Sequence, residues 1–211
     1  MFVKSTMIPR HNCFTVQADD TLSKALEILE DKKVDALPVL SGDNYSGIIT
    51  RYDLYEDFFN SAKLKEDYLK ETLVSEVAVR YRERYVQGDE IFEKTLLALK
   101  DFPILPVVSE SNKFLGIITR FDVLEQFQSA FGMNREGIRI AFTSVETEGR
   151  IAKLTDIAHQ YHEHIISLVT FDDSDKLVRR IVMKVEKNPN IKKFMDKLES
   201  SGFRILHVTE D

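Results

Sequence analysis

The sequence predicts an α+β chain: a strand–helix–strand–strand–helix unit written twice, then a strand–helix–strand–strand–helix–strand unit. Three observations carry that expectation. "GIITRYDL" at residues 47–54 returns as "GIITRFDV" at 116–123, identical at six of eight positions. "VQADDTLSKALEIL" at 16–29 matches "VQGDEIFEKTLLAL" at 86–99, a shift of 70 residues. Beyond residue 137 the apolar pattern switches between helical and strand periods without repeating either copy.

Each element has its own reason. Leu22, Ala25, Leu26 and Leu29 fall on one helical face, and Phe92, Thr95, Leu96 and Leu99 repeat that spacing. Acidic residues precede both helices, where the helix dipole favours them. "ALPVL" (36–40) and "ILPVV" (104–108) are continuous apolar runs, the mark of strands buried on both faces. "SGDNYS" and "SESNKF" are turn-like and lead into the GIIT strands. A second helix follows Thr50 and Thr119, with Leu54/Phe58 and Val123/Phe127 at i, i+4. Residues 61–73 read as a linker, and so does "FGMNREG" at 131–137 with its two glycines. In the last third, "IRIAFT" is a strand and "GRIAKLTDIAHQYH" a helix with Ile151, Leu154, Ile157 and Ala158 on one face. "IISLVTF" and "LVRRIVMKVE" form a hairpin around the acidic "DDSD". "PNIKKFMDKLES" is a helix with Pro189 near its first turn, ended by Gly202, and "FRILHV" is the last strand.

Composition narrows the function. A net charge of −6 argues against a general nucleic-acid binder, which needs excess Lys and Arg. The single cysteine, Cys13, allows no intrachain disulfide and points to a reducing compartment. With no signal-peptide core and no apolar run of the ~18 residues a span needs, a cytoplasmic protein is expected.

The doubled turn carries the functional question. Thr50 and Asp53, and Thr119 and Asp122, have the spacing of an N-cap and its reciprocal partner, a capping box. That accounts for Thr and Asp. It does not account for Arg51 and Arg120, cations placed where the helix dipole opposes them. A bound anion would: free N–H groups and the Thr hydroxyl would face a phosphate, and the Arg would pair with it.

On the "LPV" strands, the "GIIT-R-[YF]-D" turns and the amphipathic helices before them, residues 1–130 resemble a tandem pair of CBS domains. These are βαββα modules that bind adenine-containing ligands. The resemblance implies that the Thr contacts phosphate or ribose and the Asp holds the ribose diol. The adenine would lie in an apolar slot before "PV". For the first copy this names Thr50, Arg51 and Asp53 with Ala36, Leu37 and Pro38. For the second it names Thr119, Arg120 and Asp122 with Ile104, Leu105 and Pro106. Thr15 stands where the family often faces the nucleotide. The βαββαβ order of the last third is the ferredoxin-like pattern and resembles an ACT-like domain, whose effector turn would run from Glu146 to Gly149. The expected division is a first CBS domain at 1–60, a linker at 61–73 and a second CBS domain at 74–130. A linker at 131–137 and an ACT-like domain at 138–211 complete it, resembling the AcuB-type architecture. The opening "MIPRHNCFTVQ" also resembles bacterial CBS-pair proteins that take cyclic di-AMP.

The copies differ. Tyr85 replaces Thr15, and the second copy has 17 residues from Asp89 to Pro106 where the first has 19 from Asp19 to Pro38. Tyr85 in a shortened slot is therefore expected to fill the base's space, leaving the first site the more regular and Asp53 the more important. "VRYRERY" at 79–85 reads as a strand with Arg80, Arg82 and Arg84 on one face, either a charged edge or a basic wall. His159, His162 and His164 read as a solvated helix end rather than a metal site.

No nucleotide-hydrolase, serine-hydrolase or metal-ligand motif is present, so no enzyme is expected. The expectation is a regulatory protein binding AMP, ADP, ATP, S-adenosylmethionine or cyclic di-AMP, with no cofactor, metal, nucleic acid or membrane. A homodimer is expected from the aromatic "LYEDFF" and "VLEQFQSAF" helices. The alternative is a partner-binding or oligomerisation module with empty CBS slots.

Overall fold

The computed structural model describes residues 2–78, 81–145, 147–172 and 178–210, with the side chain of Asp172 excepted. Its backbone divides into two compact units, Met1–Val123 and Leu124–Asp211.

The first unit holds both copies of the repeat as far as Val123, within the last helix of the second copy. The N-terminal copy comprises β2 (Val16–Gln17), α1 (Leu22–Asp31), β3 (Ala36–Ser41), β4 (Asn44–Thr50) and α2 (Arg51–Asn60). Two short helices follow, α3 (Lys65–Glu71) and α4 (Val74–Ala78). The second copy repeats the plan with β5 (Val86–Gln87), α5 (Thr95–Leu99), β6 (Ile104–Val108), β7 (Phe114–Thr119) and α6 (Arg120–Ala130). The two residues missing from this copy are lost from its helix: a 3-10 turn at Phe92–Lys94 and five helical residues replace the ten of α1.

Strands β3 and β6 are buried on both faces, as their unbroken apolar runs require. Leu37, Val39 and Ile49 turn toward α1 and form one core with Leu22, Ala25 and Leu29. Ala36, Leu40 and Ile48 turn the other way and meet Ile104, Val108 and Phe114, so the two copies share a core between their sheets.

The chain crosses over between copies. Val3 is fully buried among Val86, Phe92, Leu105 and Ile118 of the second copy. Strand β1 (Ile8–Pro9) extends the second copy's sheet by pairing with β7, giving the order β1-β7-β6-β5. Conversely, Val74, Val77 and Ala78 of α4 belong to the first core. Residues 61–73, expected as a linker, carry α3, whose Tyr68 is 2% exposed in that same core. This crossover explains the glycine written into both GIIT strands. A Cβ on Gly47 would meet the Ala78 carbonyl oxygen at 2.5 Å, and one on Gly116 would lie closer still to that of Ile8. Only glycine lets the crossing segment approach so near.

The second unit runs β8 (Ile138–Val145), α7 (Arg150–Gln160), β9 (Ile165–Asp172), β10 (Val178–Val185), α8 (Ile191–Ser200) and β11 (Arg204–Glu210). Its four strands are antiparallel in the order β11-β8-β10-β9. Ile140, Phe142, Ile181 and Met183 pack on Leu154, Ile157, Phe194 and Leu198 from the two helices. The expected βαββαβ element order is present. Glu146 and residues 173–175 of the acidic turn lie outside the described residues. Gly149, with φ of 74°, stands at the N-cap of α7, and Gly202, with φ of 87°, follows α8. His159, His162 and His164 are exposed, and no metal-ligand cluster is found among the described residues.

Candidate ligand-binding clefts

Both Thr-Arg-aromatic-Asp turns sit where an inner strand hands over to a helix, β4 to α2 and β7 to α6. The two sequences fold this turn alike but leave its carboxylate in different states. In the second copy, Asp122 Oδ2 accepts from Thr119 N at 2.6 Å and from Thr119 Oγ1 at 2.7 Å. Asp122 N donates back to Thr119 Oγ1 at 3.3 Å, completing a reciprocal cap. Asp122 is half-buried, and its Oδ1 has no hydrogen-bond partner among the described residues. In the first copy Asp53 is 2% exposed. Thr50 Oγ1 accepts from Asp53 N at 3.0 Å and donates to Asp53 Oδ2. Asp53 Oδ1 accepts from the hydroxyl of Tyr81 at 2.7 Å. Both oxygens of Asp53 are engaged.

The arginines do something the sequence reading did not foresee. Arg51 Nη2 donates to the carbonyls of Leu29 and Val34 at 2.9 and 3.0 Å. Arg120 donates from Nε to Leu99 O at 3.0 Å and from Nη2 to Lys100 O at 3.2 Å. Each guanidinium thus closes the C-terminal end of the copy's first helix, whose last carbonyls lack partners within the helix. The helix end accounts for the contacts of Arg51 Nη2 and of Arg120, while Arg51 Nε is buried with no hydrogen-bond partner among the described residues.

The slots are exchanged as well. The cleft beside Thr50, Arg51 and Asp53, about 550 Å³, is walled by Tyr81, Phe102 and Pro103 from the second copy. The cleft beside Thr119, about 280 Å³, is walled by Cys13, Phe14, Ala36 and Leu37 from the first copy, with Ile104. Asp35 borders both. Ala36, which pairs with Thr50 across β3 and β4, and Leu37 thus line the cleft beside Thr119 and not the one beside Thr50 and Asp53. Leu105 borders a third hollow, with Arg84 and Tyr85. Pro38 and Pro106 are buried, Thr15 is half-buried, and none of the three lines the two clefts.

The slot residue expected to obstruct, Tyr85, packs edge-on against Tyr45 with ring centres 5.9 Å apart. Tyr81 is the residue that reaches the carboxylate. Residues 81–85 form a turn rather than the expected strand. Arg84 N donates to Tyr81 O at 3.1 Å, and the Tyr45 hydroxyl lies 2.8 Å from Tyr81 O and 2.9 Å from Arg84 O. Arg84 stacks over Phe102 at 4.3 Å and Arg82 is exposed, so they share no basic wall; Arg80 lies outside the described residues. Periodicity could not reveal this turn, because it is set by a hydroxyl 36 residues away.

In the smaller cleft, burial pushes the Cys13 thiol up to about 11. The Ile117 backbone N–H opposes that shift and the nearby Asp122 carboxylate adds to it.

A duplicated βαββα unit with crossed N-terminal segments and paired interfacial clefts has a family. The CBS domain model matches residues 3–59 and 74–129, more than half of the chain. The chain belongs to the CBS-domain proteins. An inosine-5'-monophosphate dehydrogenase of Korarchaeum cryptofilum is 26% identical over 164 residues, covering 72% of this chain and 33% of the dehydrogenase. The chain thus spans about a third of the length of that relative. A CBS domain-containing protein of unknown function from Bacillus anthracis is 27% identical, with a TM-score of 0.54 over 61% of this chain and 93% of that one. CBSX2, solved in complex with AMP, is 30% identical, with a TM-score of 0.52 over 64% of this chain and 98% of its own. No helix among the described residues is long and apolar enough to cross a membrane.

Proposed function

We propose that this CBS pair is a regulatory module without chemistry of its own, which binds an adenine-containing ligand in the Thr119–Asp122 cleft. The observation that carries the reading is a largely apolar cleft lined by Thr119, Phe121, Ala36, Leu37 and Ile104, with Asp122, whose Oδ1 has no hydrogen-bond partner among the described residues, next in the chain to that lining. An apolar slot with one or two placed polar groups is how small-molecule sites are built. A carboxylate with a spare oxygen can accept from a ribose hydroxyl, and the aliphatic walls suit a purine face. The likeness to CBSX2, which holds AMP, supports the same class of ligand. The candidates are AMP, ADP, ATP, S-adenosylmethionine and cyclic di-AMP. Occupancy is passed to the C-terminal unit, whose strand order supports a ferredoxin-like, ACT-like domain, or to a protein partner. A homodimer fits the exposed Tyr52, Tyr55 and Phe59 of α2 and the exposed Phe121 of α6.

Differential scanning fluorimetry against the five ligands tests the reading. A ligand at 100 times its dissociation constant stabilises the fold by about 2.7 kcal/mol. That corresponds to a rise in Tm of roughly 5–10 °C at this size. Unmoved melting with all five at millimolar concentration supports the other reading, a partner-binding module with empty slots. A monomer by light scattering at tens of micromolar refutes the homodimer.

A further inference from the structure

We infer that Tyr81 stands in for a ribose hydroxyl on Asp53 and so limits the CBS pair to one nucleoside ligand per chain. The inference rests on the proposed function, since it assumes that the Thr119–Asp122 cleft takes an adenine-containing ligand.

Asp53 and Asp122 occupy equivalent places in equivalent turns, so two equivalent sites would be the default. The structure separates them. The Tyr81 hydroxyl lies 2.7 Å from Asp53 Oδ1, the oxygen whose counterpart on Asp122 has no partner among the described residues. A phenolic O–H donating to a carboxylate offers the same bond that a ribose hydroxyl would, at the same atom. Tyr81 is also held from two further directions. Its ring packs edge-on against Phe102 with centres 4.7 Å apart, inside the cleft where a base would lie. Its carbonyl is fixed by the Tyr45 hydroxyl at 2.8 Å. A nucleoside entering this cleft would have to break the Asp53 bond and lift the ring.

The second turn has no such guard. The residue 70 positions before Tyr81 is His11, which is exposed and makes no hydrogen bond to Asp122. The segments before the two repeats, 9–15 and 79–85, share only Arg10 and Arg80 at this shift, and within the second of them Tyr81 is the residue that occupies the carboxylate. Tyr81 is thus a specificity-determining residue for the pair, acting by occupancy.

Isothermal titration with the adenine ligand that gives the largest melting shift tests this. The intact chain binds one ligand per chain. Tyr81→Ala, which removes hydroxyl and ring together, binds two. Tyr81→Phe, which keeps the ring and the fold, gains a weaker second site at least tenfold poorer than the first. The double variant Tyr81→Ala, Asp122→Ala keeps one site of full affinity where Asp122→Ala alone keeps only a site weakened ten- to a hundredfold. Two ligands on the intact chain, or a single site retained in Tyr81→Ala with an unchanged circular-dichroism spectrum, overturns the inference and leaves the proposed function standing. Binding of none by the intact chain overturns both.

Discussion

The turn at Thr50–Asp53 and the turn at Thr119–Asp122 share three of four letters, yet one carboxylate is sealed and the other is open. Asp53 is 2% exposed with both oxygens engaged, while Asp122 is half-buried and its Oδ1 has no hydrogen-bond partner among the described residues. The turns themselves do not cause this. The neighbours do: each turn faces a segment of the other copy, and those segments are where the duplication has drifted. A repeated motif therefore fixes the local cap, whereas the function of each copy is decided by what crosses over to meet it.

The largest expected effect separates the two carboxylates by binding. Asp122→Ala removes a charge-assisted contact to the ligand and should cost about 1.5–3 kcal/mol, roughly ten- to a hundredfold in affinity. Asp53→Ala should change affinity by less than about threefold, well under 1 kcal/mol. Calorimetry showing equal losses breaks the comparison.

Stability should rank them the other way. Removing Asp53 leaves the Tyr81 and Thr50 hydroxyls without their buried acceptor and should destabilise by about 1–3 kcal/mol. Asp122→Ala loses mainly a helix cap on a half-buried turn, about 1 kcal/mol. Urea melts of the two variants read this directly.

Arg51→Lys and Arg120→Lys sharpen what the two turns have in common. Each loses donors to the carbonyls at the end of the preceding helix and should cost about 0.5–1.5 kcal/mol of stability. Neither should change the affinity ratio of AMP to adenosine. A selective loss of AMP binding would restore the phosphate role.

The smallest effect belongs to Cys13. With its thiol held up at about 11, its alkylation should be slow at pH 8. The rate should climb about tenfold per pH unit toward pH 11, where an ordinary thiol has already levelled off. Ligand in the Thr119–Asp122 cleft should slow it further. Mass spectrometry of maleimide-treated chain with and without ligand measures both.

Much of this architecture was legible. Local periodicity gave α1, α7 and α8 with their buried faces, and the apolar runs at 36–40 and 104–108 announced doubly buried strands. The cap formed by Thr and Asp was legible too, because its partners lie three residues apart. What escaped was every feature set by a distant partner. The arginines answer to carbonyls 17 to 22 residues away, Tyr81 to a carboxylate 28 away, and the slots to the opposite copy. The sequence raised the right question about Arg51 and Arg120, a cation at the wrong helix end. The carbonyls that Arg51 Nη2 and Arg120 meet lie at the C-terminal end of another helix.

The crossing of the N-terminal segment has a consequence for synthesis. Residues 16–78 contain every strand and helix of the first core, so that half can settle as soon as it leaves the ribosome. Val3 and the Ile8–Pro9 strand cannot, since their partners reach as far as Ile117 and Ile118. At about 5–20 residues per second, the stretch from Ala78 to Ile118 is a wait of roughly 2–8 s. During it an apolar leader trails from a nearly finished half-molecule, available to chaperones or to a neighbouring nascent chain. Pairing with that neighbour's second half would lock two chains together through exchanged leaders.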